Sequence, residues 1–332
     1  MALEGRSLGT QGLAVSAIGL GCMGMTGSYG RADEPESIAT IHEAIDLGVS
    51  MFDTADIYGP FANEKLVGRA LVGRRDSVIL ATKFGGAELN DDGAVVGGAN
   101  GRPDYVRASV ERSLRHLRTD RIDLYYQHRV DPNVPVEETF GALGELIIAG
   151  KVRYLGISEA RPDTIRRAHA TAPLSAVETE YSLFARDVET NGVLPTAREL
   201  GIGFVAYAPL ARGFLTGTIR SESALDETDL RRSFPRFTAG NLAANLTVLQ
   251  RVEEIAAARQ TDSRALALQW VLGQGRDIVA IPGTRKRSHL AANVRSAVTP
   301  LDAKTLQALR AAVSPDAIAG ARTSPLDAQI QL

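Results

Sequence analysis

"AIGLGCMGMTG", residues 17–27, carries Gly19-Leu20-Gly21-Cys22-Met23-Gly24 at the chain's first apolar segment. The reading of these glycines decides the fold. In an open sheet that binds dinucleotides, the third glycine of such a turn starts a helix, and that helix's first amides hold a pyrophosphate. Here Gly24 is followed by "MTGSYGRADEPES", and helical periodicity resumes only near Ser37, beyond the helix-start residues Asp33 and Pro35. Too many residues intervene for a phosphate cradle, so the pattern fails its structural test. The glycines read instead as positions where the backbone passes close beneath a flat ligand at the top of the first strand.

Working outward, short β-branched or apolar runs alternate with longer helical patterns. The strand candidates are Ala17–Leu20, Ser50–Phe52, Val78–Ala81, Ile122–Tyr126, Val152–Ile157, Ala176–Glu180, Gly203–Ala206 and Asp277–Ile281. Between them, "DYVRASVERSLRHLR" puts Val106, Val110, Leu114 and Leu117 on one stripe with charges opposite, and "SIATIHEAIDLG" gives Ile38, Ile41 and Ile45 before a stop at Gly48. "TVLQRVEEIAAAR" and "SRALALQWVLGQG" read as two helices with no strand between them. Eight strand–helix units favour a (β/α)8 TIM barrel over an open doubly wound sheet. "RSLGTQGLAVSAI" reads as an N-terminal β-hairpin covering the barrel's bottom. No linker divides the chain, so residues 1–332 are expected to form a single barrel domain. Long loops are expected over 85–103 and 216–240 on the C-terminal face, and an unstructured tail from Ser314.

Composition narrows the function. The chain has 332 residues, 44% hydrophobic and 23% charged, with a formal net charge of −2. Basic runs are short and local, which argues against a nucleic-acid groove. Cys22 is the single cysteine, so no internal disulfide forms, and a reducing, cytoplasmic setting is expected. No signal peptide or apolar span long enough for a membrane helix is evident, and no metal-ligand cluster stands out.

The chemistry gathers at strand ends. "MFDTADIY" puts Asp53 at the end of the second barrel strand and Tyr58 in the loop after it; "VILATKF" puts Lys83 at the end of the third; "DLYYQHR" puts His128 at the end of the fourth. In a closed parallel barrel these ends converge on one face. A phenol is a weak acid near neutrality, and a nearby ammonium is expected to lower its pKa. Asp53 would keep the lysine charged and oriented, and His128 would hydrogen-bond the substrate oxygen. Together these groups form a proton donor for a developing alkoxide, as carbonyl reduction by hydride requires. A barrel lyase using Lys83 as a Schiff-base nucleophile is the rival within the same fold, but a lysine beside Asp53 is kept charged and unreactive.

With these residues on the page, the sequence resembles the aldo-keto reductase superfamily, in particular the bacterial and plant branch that reads "GCMG" in the first loop. "FDTADIYG", "NEKLVGRAL", "GKVRYLGISEA", "YAPLARGFL" and "IPGTRKR" carry the resemblance in order across nearly the whole chain. It implies reversible NADPH-dependent reduction of an aldehyde or ketone to an alcohol, with Tyr58 as general acid, Lys83 and Asp53 tuning it and His128 orienting the substrate. An NADPH-holding redox-sensing module of low turnover is the alternative. The resemblance places Asp53, Gly21, Cys22 and Met23 beside the nicotinamide ribose, Tyr207 stacked on the nicotinamide, and Pro209, Leu210, Arg212, Gly213 and Leu215 along the pyrophosphate. Gly283, Thr284, Arg285, His289 and Asn293 would take the adenosine-phosphate end. Arg285, Lys286 and Arg287 in "TRKRSH" favour NADPH over NADH, unless that loop is simply a solvated basic stretch.

Two departures concern the nicotinamide carboxamide. Ser158 is retained, but Glu159 stands where the family has Asn, and Glu178 where it has Gln. An ionised carboxylate accepts but cannot donate, so Glu178 is expected to favour the oxidised, positively charged cofactor. Ala208 replaces a frequent Ser. The substrate pocket is expected to draw on Met25, Tyr29, the loop near Phe84, Arg129, Phe184 and the tail. Neither the oligomeric state nor a particular carbonyl substrate is indicated.

Overall fold

Each strand–helix unit lies beside the one before it, and the units run round a ring. The computed structural model describes residues 3–323. Two strands, β1 (Gly5–Leu8) and β2 (Leu13–Ser16), pair antiparallel as the expected hairpin. The ring is built from β3 (Leu20–Gly21), β4 (Met51–Asp53) and β5 (Ile79–Phe84), then β8 (Ile122–Gln127), β9 (Val152–Ser158), β10 (Leu174–Glu180), β11 (Gly203–Tyr207) and β12 (Ile278–Ile281). These eight strands are all parallel, each paired with its neighbour in chain order. Residues 88–89 and 95–97 form a small antiparallel pair, β6 and β7, inside the expected 85–103 loop.

The seam that closes the ring explains the glycines. Gly19 N donates to Ala280 O at 2.8 Å, Ala280 N donates to Ala17 O at 3.1 Å, and Ile18 and Gly21 bridge Ala280 and Gly283. A Cβ at Gly19 would sit 3.0 Å from Met51 O, and one at Gly21 would sit 3.0 Å from Ile281 O. Side chains there would wedge the first strand away from its two neighbours. The glycines thus serve strand-to-strand approach, and of Gly19 and Gly21 only Gly21 also faces a cavity. This corrects the reading that both simply make room for a ligand. It also shifts the first strand: Ala17–Gly19 engages β12 rather than β4, so the ladder with β4 begins at Leu20.

The barrel interior packs Met51, Ala81, Leu124, Tyr126, Ala176, Val205 and Val279 against Leu8, Leu13 and Val15 of the hairpin, which plugs the bottom. Outside, the helices bury their predicted stripes. In α3 (Pro103–Leu117), Val106, Val110, Leu114 and Leu117 are all buried, each worth about 1.5–3 kcal/mol relative to exposure. Helix α1 (Glu34–Asp46) starts where its cap dictates: Asp33 accepts from Glu36 N at 2.9 Å, with Pro35 in the first turn. The enlarged crossover before β12 contains α7 (Ala239–Ala258) and α8 (Ser263–Leu272), as the two adjacent helical patterns require. The segment 314–323 departs from expectation. Ala319 N donates to Asn245 Oδ1 at 2.8 Å, and Arg322 enters an ion network described below; the rest of the tail lies outside the described residues. No helix among the described residues is long and apolar enough to cross a membrane.

Candidate active site

The C-terminal ends of the strands bring Asp53, Tyr58, Lys83 and His128 together. Asp53 ends β4, Lys83 is the penultimate residue of β5, and His128 follows β8 directly. Lys83 Nζ donates to Asp53 Oδ1 and, at 3.1 Å, to Thr54 O; it stands 3.3 Å from Glu178 Oε1 and 5.5 Å from the centroid of the Tyr58 ring. The rings of Tyr58 and His128 meet edge to face at 5.8 Å. Burial opposes the Lys83 ammonium, but Asp53 and Glu178 overcome it and hold the group charged. Burial pushes the His128 imidazole far below its usual pKa, with Arg129 and Lys83 acting in the same direction, so the ring is neutral.

The phenol behaves differently from the expectation. Burial raises the Tyr58 pKa, and Asp53 and Glu178 add to the rise; Lys83 and Arg129 offset only part of it. The sequence put an ammonium next to the phenol but gave no measure of how dry the site is. Glu178 is a second correction. Burial, with Asp53 beside it, pushes its carboxyl up to about 8 despite Lys83. When protonated it can donate as well as accept, which an ionised carboxylate cannot.

A cavity of about 560 Å³ runs from these residues across the rim. Asp53, Tyr58, His128, Ser158, Glu178 and Tyr207 line one end; Gly21, Met23, Pro209, Leu210, Arg212 and Gly213 line its length; Gly283, Thr284, Arg285, His289 and Asn293 line the other end. The backbone of the loop after β11 is left-handed at Ala208, Ala211 and Arg212 (φ 47° to 55°), and Ala208 lines the cavity. Each such residue costs about 1–3 kcal/mol, strain that tends to gather at ligand clamps.

Several expected contacts are not brought to the cavity. Cys22 is fully buried with Sγ on Leu20 O, and Leu215 is packed in the core. Met25 and Phe184 are likewise core residues, Phe184 stacked on Phe214, whereas Tyr29, Arg129 and, from the loop near Phe84, Gly86 do line the cavity. Their places in the sequence were legible, but Cys22, Met25 and Leu215 lie in or beside short 3-10 turns, and only the folded turns set the way each faces. Arg285 is a tether: its Nη1 donates to the carbonyls of Tyr29 (3.0 Å), Gly30 (3.1 Å) and Gly24 (3.4 Å). Arg287 pairs with Glu36 in solvent. The cations at this end of the cavity therefore include Lys286 and Arg264. Arg264 was missed because "SRALALQWVLGQG", which contains it, was read only as a helix, α8; its signal was a place at that helix's start.

Glu159 is also not a cavity residue. It has φ 51°, a conformation Asn adopts more readily, and it turns away to accept from Tyr207 Oη at 2.8 Å and Glu180 N at 3.0 Å. Arg322 grips it in a fork at 2.6 and 3.0 Å. Burial works against its charge, yet Arg322 outweighs burial and holds the carboxyl below its usual range. Tyr207 is thus anchored through Glu159 to the C-terminal segment.

The cavity suits a nicotinamide dinucleotide. It is elongated, has Tyr207 at one end and cations at the other, and its lining includes buried polar atoms without a protein partner at His128 Nδ1, Glu178 Oε2 and Asn293 Oδ1.

Comparison with known proteins agrees with this geometry. A family model described as "Aldo/keto reductase family" matches residues 17–314. The chain is 46% identical over 317 residues to "Probable aldo-keto reductase 1" of Glycine max, covering 95% of this chain and 90% of that protein. Among solved structures it is similar to a glycerol dehydrogenase from Gluconobacter oxydans (TM-score 0.83, 30% identity, 95% of this chain and 97% of that one). It is also similar to the holo form of an aldo-keto reductase from Bacillus halodurans (TM-score 0.77, 31% identity, 94% and 97%).

Proposed function

The chain belongs to the aldo/keto reductase family of oxidoreductases, and from that premise we propose that it reduces an aldehyde or ketone of moderate size to an alcohol with NADPH. The observation that carries the proposal is the Lys83–Asp53 pair set 5.5 Å from the Tyr58 ring at the closed end of the long cavity. The nicotinamide cofactor supplies the hydride. Tyr207 and Ser158 would hold its ring, and Arg264, Lys286 and His289 would take a 2′-phosphate, which is why NADPH is favoured over NADH.

Tyr58 Oη gives its proton to the carbonyl oxygen as negative charge develops there. A phenol shifted upward by burial stays protonated until that moment. The Lys83 charge, fixed by Asp53, stabilises the phenolate left behind. Neutral His128 donates an N–H to the carbonyl and so aims it at Tyr58. The test is a panel of carbonyl compounds assayed with NADPH and NADH, on the wild type and on Tyr58→Phe. The variant should keep cofactor affinity and lose at least about a hundredfold in turnover. Near-normal turnover would overturn the assignment.

A further inference from the structure

Asp53, Lys83 and Glu178 form a buried group with a charge deficit. Asp53 and Glu178 are each 2% exposed and Lys83 is fully enclosed. The single ammonium bonds Asp53 Oδ1 and lies 3.3 Å from Glu178 Oε1, while Asp53 Oδ2 and Glu178 Oε2 are buried with no partner. Both carboxyls converge on the same Lys83 Nζ. Two ionised carboxylates sharing one cation out of water would leave an uncompensated charge, which a low-dielectric site resists. A single proton held by the pair resolves the deficit. Both carboxyls line the cavity at the end that also holds Tyr58, His128 and Tyr207.

We infer that Asp53 and Glu178 hold one proton between them, and that the positively charged oxidised nicotinamide expels it on binding while the reduced ring leaves it in place. The balance is simple: the carboxylic acid becomes a carboxylate, the proton passes to solvent, and no other bond changes. The resulting negative charge faces the cation that displaced the proton. The inference rests on the cofactor reading above and adds to it a difference between the two redox forms that Gln at position 178 would not create.

The groups facing the pair do not titrate in the same range. From the end of β3, the Cys22 thiol is pushed up by burial; from β5, Lys83 is held charged; from the turn after β4 and from β8, the phenols of Tyr58 and Tyr126 are pushed up; after β8, His128 is pushed far down. From β9 and β11, Ser158 is neutral and Tyr207 is pushed up. Glu159 faces Arg322 and is held ionised. The Asp53–Glu178 pair alone is poised near neutrality.

The test titrates NADP+ and NADPH separately into the full-length protein between about pH 6 and about pH 8, by calorimetry in buffers of different ionisation enthalpy. The 2′-phosphate of both nucleotides, with a pKa of about 6, also exchanges protons, but it does so equally for the two, so their difference isolates the nicotinamide charge. At about pH 7, NADP+ should release close to one proton more than NADPH, and the NADP+ dissociation constant should fall by up to tenfold per pH unit relative to that of NADPH. Glu178→Gln should abolish both differences between the two nucleotides, whatever it does to the affinity they share. The wild-type comparison stands alone should that variant fold poorly. Equal proton counts and parallel pH slopes for the two nucleotides would overturn this inference alone. Failure of either nucleotide to bind would overturn the cofactor reading together with it.

Discussion

Glu178 and Glu180 are two residues apart on β10, on the same face of the sheet, yet they sit in opposite electrostatic surroundings. Glu178 shares one ammonium with Asp53. Glu180 and its neighbour Glu159 face three guanidinia: Arg212 at 3.2 Å from Glu180, Arg322 at 2.6 Å from Glu159 and 3.8 Å from Glu180, and Arg236 at 4.0 Å from Glu180. Both clusters are buried, so burial alone does not decide ionisation. The number of cations within reach does. The cation-poor cluster lies under the reacting end of the cavity and keeps a proton available. The cation-rich cluster fixes a platform, and within it Arg322 holds Glu159 ionised.

The comparison is broken most severely by removing the lone ammonium. Lys83→Met leaves two buried carboxyls without a cation and should cost about 3–5 kcal/mol at neutral pH. Chemical unfolding should show the deficit shrinking in acid, where both carboxyls take up protons; a deficit independent of pH would break the comparison. Arg322→Ala removes the fork on Glu159 and should destabilise by about 3 kcal/mol, the low end of that range, because the Arg322 side chain is 18% exposed. It should also weaken NADPH binding, measured by fluorescence quenching, since Tyr207 loses its anchored partner.

Stability against pH separates the two carboxylates by sign. Glu159 is depressed in the folded state, so its contribution is present above the unfolded value of about 4.3 and is lost as pH falls through the folded value. Glu178 is raised, so the folded chain keeps a proton that the unfolded chain has lost, and stability falls as pH climbs from about 4.3 towards about 8. Glu178→Gln should flatten the second slope and leave the first. The smallest effect is expected for Arg287→Ala. Its pair with Glu36 is in solvent, so melting should register less than about 0.5 kcal/mol and NADPH affinity should hold. A large loss of affinity would return Arg287 to the phosphate site.

The ring of strands was legible because its alternation is local: each apolar run and each helical stripe announces itself within a dozen or so residues. Asp53, Lys83 and His128 were legible for the same reason, since a strand's end fixes where its last side chains stand. Three things were not. Arg322 meets Glu159 across 163 residues of chain, and no pattern near either residue marks the other. The direction of the Tyr58 shift is a sum of burial and four charges from different strands, and only the assembled site supplies the burial. Cys22 and Leu215 share motifs with true cavity residues, but the backbone turns them into the core.

The seam between Ala17–Gly21 and β12 also bears on how this chain is made. A ribosome delivers the first strand early and the strand that completes its pairing only after residue 281. Until then the nascent chain is an open sheet with two bare edges, the state most exposed to sticking to its neighbours. A chain released before Ile281 would lack the strand that closes this seam, and exposed edges of that kind favour aggregation.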